Sequence, residues 1–152
     1  MKKQAKKAAR MPSFENTFRN LNLNQRVAAQ SPFISRSIWQ SCSKKHKVRP
    51  EDCDELYGGL DLSEVADLTA FVLLGRKGKK WYVFCWFWLP ADGLIDKASK
   101  DRVPYDIWHK DGYLRTTPGA TVRYEDVVKD VAEICEPLEN LIAIAFDRWR
   151  IE

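Results

Sequence analysis

Residues 81–89 read WYVFCWFWL, an unbroken apolar run rich in aromatic residues. Nine residues are too few to cross a bilayer, which takes about 20, and aromatic and β-branched side chains are typical of strands. Both alternating faces of the run are apolar, so we expect a strand that is buried on both sides. Pro90 follows directly and ends the strand.

Two further strands are predicted immediately before this run. LYGGLDLS (56–63) and LTAFVLL (68–74) are short and apolar, and a turn separates them near residues 64–67. GRKGKK (75–80) joins the second strand to the third with two glycines and four cations, which is typical of a hairpin connection. The three strands therefore predict an antiparallel meander.

A helical crossover is predicted after the meander. Residues 91–112 are polar and helical in parts, and residues 113–119 are extended. Apolar residues then recur at helical spacing from Tyr124 to Leu138, and LIAIAFDRW (141–149) reads as a buried strand. A strand reached through a helix lies parallel to its neighbour, here the first strand. The expected fold is α/β, with a mixed sheet.

The chain divides by charge near residue 50. Residues 1–50 hold 12 Lys and Arg and a single acid, Glu15, whereas residues 51–152 hold 13 Lys and Arg and 20 acids. We assign residues 1–50 to a basic helical segment with a linker, and residues 51–152 to the α/β domain. A basic front is typical of an arm for a polyanion or an acidic partner, and equally of a solvated tail.

The sequence does not indicate a secreted protein, a membrane protein or a zinc-binding protein. The start, MKKQAKKAAR, leads into no apolar segment or cleavage site, so it is not a secretory signal. The four cysteines form no CxxC pair, which argues against structural zinc. We expect reduced thiols in a cytoplasmic protein, with Cys85 and Cys135 in the core.

Two predicted strands end in an aspartate, at Leu60-Asp61 and at Phe146-Asp147. If these strands are parallel neighbours, the two carboxylates meet at one edge of the sheet, where such folds bind ligands. Their repulsion favours a hard cation between them, such as Mg²⁺ or Mn²⁺. The alternative is that both aspartates are turn or capping residues, which is also our interpretation of Ser63 and Asp67.

The residues carry a family likeness from about position 12 to the end. PSFENTFRNLNLNQ (12–25) and SPFISRSIWQSC (31–42) resemble the segment that joins motor and nuclease in large terminase subunits of tailed phages. YGGLDLSEVADLTAFVLL (57–74) resembles the first hairpin of their RNase H-like nuclease domain. The later matches are FWLPADGLIDKASKDRVPYDIWHKDGYLRTTPG (87–119), VRYEDVVKDV (122–131) and IAIAFDRW (142–149).

The resemblance implies a metal-dependent endonuclease that cuts concatemeric double-stranded DNA during packaging in the bacterial host cell. Asp61 and Asp147 then resemble two acidic ligands of a catalytic two-metal site for Mg²⁺ or Mn²⁺. Other terminase subunits and the portal are the implied partners, and no membrane is involved. The candidate DNA-binding cations are Lys44, Lys45, Lys47, Arg49, Arg76, Lys77, Lys79 and Lys80.

Two features of the family have no counterpart in the sequence. The motor domain with its phosphate loop would precede residue 1, and the third carboxylate would come from an element after Asp147. We therefore expect an incomplete RNase H-like sheet, which leaves open whether the chain is itself an enzyme. The alternative function is a fragment that only binds DNA or packaging partners. An actin-like ATPase is a third reading, but no glycine follows Asp61 closely.

Overall fold

The computed structural model describes residues 2–25, 34, 36–42, 47–63 and 67–147. The chain forms two compact units, Met1–Lys47 and Val48–Glu152. The first contains three helices, α1 (Lys2–Arg10), α2 (Pro12–Leu23) and α3 (Arg36–Cys42). In α2 the proline lies at the start, where its missing N–H costs nothing, and the helix ends at Asn24 in the left-handed conformation.

The second unit contains five strands and three further helices. A single 3-10 turn, Pro50–Asp52, precedes the sheet. The elements that follow are β1 (Glu55–Asp61), β2 (Thr69–Lys77), β3 (Lys80–Pro90), α4 (Leu94–Asp101), α5 (Tyr105–Lys110), β4 (Arg115–Thr117), α6 (Tyr124–Cys135) and β5 (Leu141–Phe146).

The strands form one mixed sheet in the order β4-β3-β2-β1-β5. β1, β2 and β3 pair antiparallel, and β5 pairs parallel to β1 after the α6 crossover. The predicted meander and parallel strand are therefore confirmed. β4 adds a short parallel strand beside β3, in the segment that the sequence indicates only as extended.

The hydrophobic core lies between one face of the sheet and α6. Leu56, Phe71 and Trp88 are fully buried on this face, and Val127 and Val131 of α6 join the same cluster. Burial of large apolar side chains on one face of a sheet and one stripe of a helix is the main stabilising contribution in such a layer.

The other face of the sheet is exposed along most of β3, so the expectation of burial on both sides holds only at the end of the strand, where Trp88 and Leu89 are both buried. Trp81 and Val83 of β3 are 54% and 55% exposed, and Cys85 is exposed rather than in the core. β5 is likewise not buried on both sides: Ile142 is 60% exposed, and Ala143 and Ala145 are exposed. The physical reason is that α6 covers one face, and an apolar composition shows that a strand can be buried, not that it is. Cys135 is partly buried, as expected.

The hairpin between β2 and β3 is tighter than its sequence indicates. Pairing continues as far as Lys77 opposite Lys80, so only Gly78 and Lys79 form the turn. Gly78 has φ +59°, a conformation that glycine adopts at little cost. Within the ranges that the structure describes, no helix has both the length and the apolarity to span a membrane.

Candidate metal centre

The parallel register brings the two strand-end aspartates to neighbouring positions. Gly59 pairs with Ala145 and Leu60 with Phe146. Asp61 follows Leu60, and Asp147 follows Phe146. Neighbouring strands lie about 5 Å apart, so the two backbones hold these aspartates side by side at one end of β1 and β5.

The strand alternation also puts the pair on one face. Side chains two residues apart point the same way, so Asp61 shares a face with Gly59. Continued one residue past β5, the same alternation groups Asp147 with Ala145. Both carboxylates are exposed, and a Cβ placed on Gly59 would meet no atom within 4 Å. The face beside the pair is therefore open and lined by small residues.

The loop that follows Asp61 is fixed by buried hydrogen bonds. The hydroxyls of Ser63 and Thr69 lie 2.8 Å apart, and the Ser63 N–H donates to Thr69 Oγ1 at 3.0 Å. The Tyr124 hydroxyl, at the start of α6, donates to the Ser63 carbonyl at 2.5 Å. Ser63 is thus a structural residue, as the sequence indicated, and it anchors the backbone two residues from Asp61.

The donor set suits a hard cation that keeps part of its hydration. Across the described part of the chain, no three His, Cys, Asp or Glu side chains form a cluster that could hold a metal ion. Two carboxylates on an open face match the way Mg²⁺ is bound, by one or two carboxylates with waters and substrate phosphates completing the coordination. Asp61 and Asp147 would be the protein's ligands.

The hairpin cations lie at the opposite end of the sheet. Arg76 pairs with Glu55 at the start of β1, whereas Asp61 pairs with Ala70. Six residues along a strand correspond to about 20 Å. The Arg76 guanidinium donates to Glu55 at 2.8 Å and lowers the pKa of that carboxyl through hydrogen bonds.

The remaining candidate cations are divided between described and undescribed residues. Lys77, Lys79 and Lys80 are exposed around the hairpin. Lys47 is exposed, and the Arg49 guanidinium lies 3.6 Å from Asp52. Lys44 and Lys45 lie outside the described residues. The four hairpin cations therefore do not lie beside the aspartate pair.

A second polar cluster joins α6 to the far strand of the sheet. The indole N–H of Trp88 donates to Asp130 at 2.7 Å, and Arg115 of β4 donates to the same oxygen at 2.8 Å. Partial burial raises the pKa of Asp130, but these hydrogen bonds outweigh it and hold the pKa below the usual value. Neither this cluster nor the Tyr124 contact has a local sequence signal.

The sheet order defines the class of protein: this is an α/β domain built on a mixed five-stranded sheet. The family model for the endonuclease domain of the terminase large subunit matches residues 1–152. The chain belongs to this family, and the actin-like reading is set aside.

A sequence match and a structural match, both to the large terminase of phage HK97, place the chain more closely within the family. It is 54% identical over 153 residues to the terminase large subunit of Enterobacteria phage HK97, covering 100% of this chain and 30% of the relative. The crystal structure of the HK97 bacteriophage large terminase matches with a TM-score of 0.71 and 53% identity, covering 97% of this chain and 30% of that one. The chain thus spans about a third of the length of these relatives.

Proposed function

We propose that the chain contributes the first two acidic ligands of a metal-dependent endonuclease that cleaves concatemeric double-stranded DNA during phage packaging. The observation that carries the proposal is the parallel pairing of β1 with β5, which sets Asp61 beside Asp147. Membership of the terminase nuclease family supplies the reaction class, phosphodiester hydrolysis.

Some residues of the chain would bind the metal ion, and others would position these ligands. Asp61 and Asp147 would hold Mg²⁺ or Mn²⁺ through their carboxylate oxygens. When bound, such ions activate water and stabilise the leaving oxygen of a phosphodiester. Gly59 and Ala145 leave the face beside the carboxylates open to a DNA backbone. The Tyr124 and Thr69 hydroxyls keep the Ser63 backbone, and with it the end of β1, in place.

The partners follow from the same assignment. Duplex DNA is the proposed substrate, and other terminase subunits and the portal are the proposed protein partners. We propose that this assembly works in the bacterial host cell.

Nicking of supercoiled plasmid in Mn²⁺ tests the nuclease assignment. We expect nicking by the unaltered chain, none by Asp61→Ala, and normal nicking by Asp96→Ala, which removes an exposed acid on α4. Equal nicking by the unaltered chain and Asp61→Ala would contradict the catalytic role of Asp61.

A second candidate function is DNA binding without cleavage. It is favoured by the described residues' lack of a third acid near the pair and by the basic composition of residues 1–50. Here Asp61→Ala would keep its affinity for DNA, and no divalent ion would produce nicks. Loss of all DNA affinity at low salt would count against this candidate.

A further inference from the structure

Helix α1 carries five cations on one side. At 3.6 residues per turn, their positions fall within an arc of about 140°. All five are exposed. We call this surface the α1 basic face; it consists of Lys2, Lys3, Lys6, Lys7 and Arg10.

The opposite side of α1 packs within the first unit, which turns the cations outward. Ala8 is 6% exposed and is the buried residue of this helix. Ala5 and Ala9 line a cavity of about 380 Å³ together with Phe18 and Arg19 of α2. Ala8 therefore packs α1 within the first unit, and the basic face remains accessible.

The charge of this face is not neutralised within the described chain. The helix contains no acidic residue. Among the ion pairs of residues that the structure describes, none involves a cation of α1, and Lys7 instead lies 4.7 Å from the centre of the Phe14 ring. The basic face is thus available to an external anion.

The arrangement destabilises the isolated helix. Lys2 and Lys6, and likewise Lys6 and Arg10, stand four residues apart, where like charges repel. Lys2 and Lys3 also lie at the N-terminus, the positive end of the helix dipole. A polyanion along this face would relieve both penalties, and local conflict of this kind is typical of functional surfaces.

We propose that the α1 basic face binds the phosphate backbone of duplex DNA. The choice of DNA rests on the proposed function. Nine residues of helix are about 13 Å long, which corresponds to about four phosphates of one strand. Contacts to phosphates hold the duplex without reading its sequence.

Fluorescence anisotropy with a labelled 20-base-pair duplex in EDTA, at 50–200 mM salt, tests the proposal. The variant replaces Lys3, Lys6 and Arg10 with Gln, which retains helix propensity. A matched control replaces the exposed Lys100, Lys110 and Lys129 with Gln. Each lost phosphate contact lowers the slope of log affinity against log salt by about 0.9. We expect the slope of the α1 variant to fall by about 2 to 3. Its affinity for the duplex at 50 mM salt should fall at least tenfold, whereas the affinity of the control should fall less than twofold.

Further variants test whether the loss of DNA affinity comes from the charge of the α1 basic face and not from a change in the helix. Lys3→Arg with Lys6→Arg keeps the charge and should bind DNA as the unaltered chain does, and circular dichroism of the Gln variant should show unchanged helix. Equal loss in the α1 variant and the control would overturn the proposal, as would tighter binding to phosphatidylserine vesicles than to the duplex. Because EDTA prevents cleavage, failure of the nuclease assignment leaves this result unaffected.

Discussion

At the scale of single residues, the Tyr124 hydroxyl joins α6 to the loop that follows Asp61. Tyr124→Phe keeps the ring and removes this hydrogen bond, so the end of β1 should hold its carboxylate less firmly. Groups that orient ligands typically change metal affinity by 10- to 100-fold. Because Tyr124 acts through the backbone, we expect a loss of about tenfold in Mn²⁺ affinity, measured by calorimetric titration.

The matched control is Tyr105→Phe, which removes a hydroxyl that donates to Asp101 on α4. Its Mn²⁺ affinity should equal that of the unaltered chain. The same small effect in both variants would show that Tyr124 does not position the metal ligands.

Asp130 is the second residue with a specific expectation. Its folded pKa is lowered despite partial burial, because Trp88 and Arg115 donate hydrogen bonds to the carboxylate. The ionised form therefore stabilises the fold fully above the unfolded pKa of about 3.9, and this contribution is lost as pH falls through the folded pKa. Asp130→Asn should lower the free energy of unfolding at pH 7 by about 1 to 3 kcal/mol.

Urea unfolding between pH 7 and pH 3 measures both parts of this prediction. Other carboxylates titrate in both proteins and contribute equally. Only the unaltered chain carries the Asp130 carboxylate, so it should lose more stability on acidification than Asp130→Asn does. Identical pH dependence in the two proteins would contradict the role given to Asp130.

The residue-scale features differ in how far the sequence could reveal them. Asp61 and Asp147 follow from a local rule, since each ends an apolar strand. The Tyr124–Ser63 and Trp88–Asp130 contacts join residues 61 and 42 positions apart. No local pattern encodes such contacts, because they depend on how α6 lies on the sheet.

At the scale of elements, the contact between β2 and the segment before β1 limits what Gly75 can become. A Cβ at Gly75 would lie 2.5 Å from Cys53 Sγ and 2.9 Å from Leu56 Cδ2, and both neighbours are buried. Overpacking of this kind costs about 1 to 3 kcal/mol, so Gly75→Ala should lower the free energy of unfolding by that amount in urea.

Gly59→Ala provides the control within the same sheet. Its Cβ would enter open space on β1, so the expected change is within about 0.5 kcal/mol. If Gly59→Ala destabilises the protein as much as Gly75→Ala, the loss reflects strand glycines in general and not the close packing at Cys53.

Hydrophobic runs predicted the positions of the strands better than they predicted which faces of the strands are buried. The runs before Pro90 and before Asp147 predicted the positions of β3 and β5. The hairpin connection predicted the direction of β3, and the helical crossover predicted that of β5. Exposure of Val83 and Ile142 was not predictable, because an apolar strand does not specify which elements cover it. β4 was missed as a strand because three residues, Arg115–Thr117, are too few to show periodicity.

At the scale of the whole molecule, a basic helical unit and an acidic α/β unit belong to a single family match. The opposite charges of the two parts fit the two tasks proposed for them, phosphate contact in the first and divalent-ion binding in the second. The order of the sequence blocks indicated the family and the basic composition indicated a helical segment, whereas the one-sided arrangement of the α1 cations follows from the bounds of the helix.

Divalent-ion binding by the pair of strand-end carboxylates is the central property proposed for this protein. Thermal unfolding in increasing Mn²⁺ measures it, because a ligand that binds the folded state adds about 2.7 kcal/mol at 100 times its dissociation constant. We predict that the unaltered chain and Asp96→Asn gain stability in proportion to the logarithm of the Mn²⁺ concentration above the dissociation constant, and that Asp61→Asn and Asp147→Asn gain none. The same Mn²⁺ response in all four proteins would contradict the account.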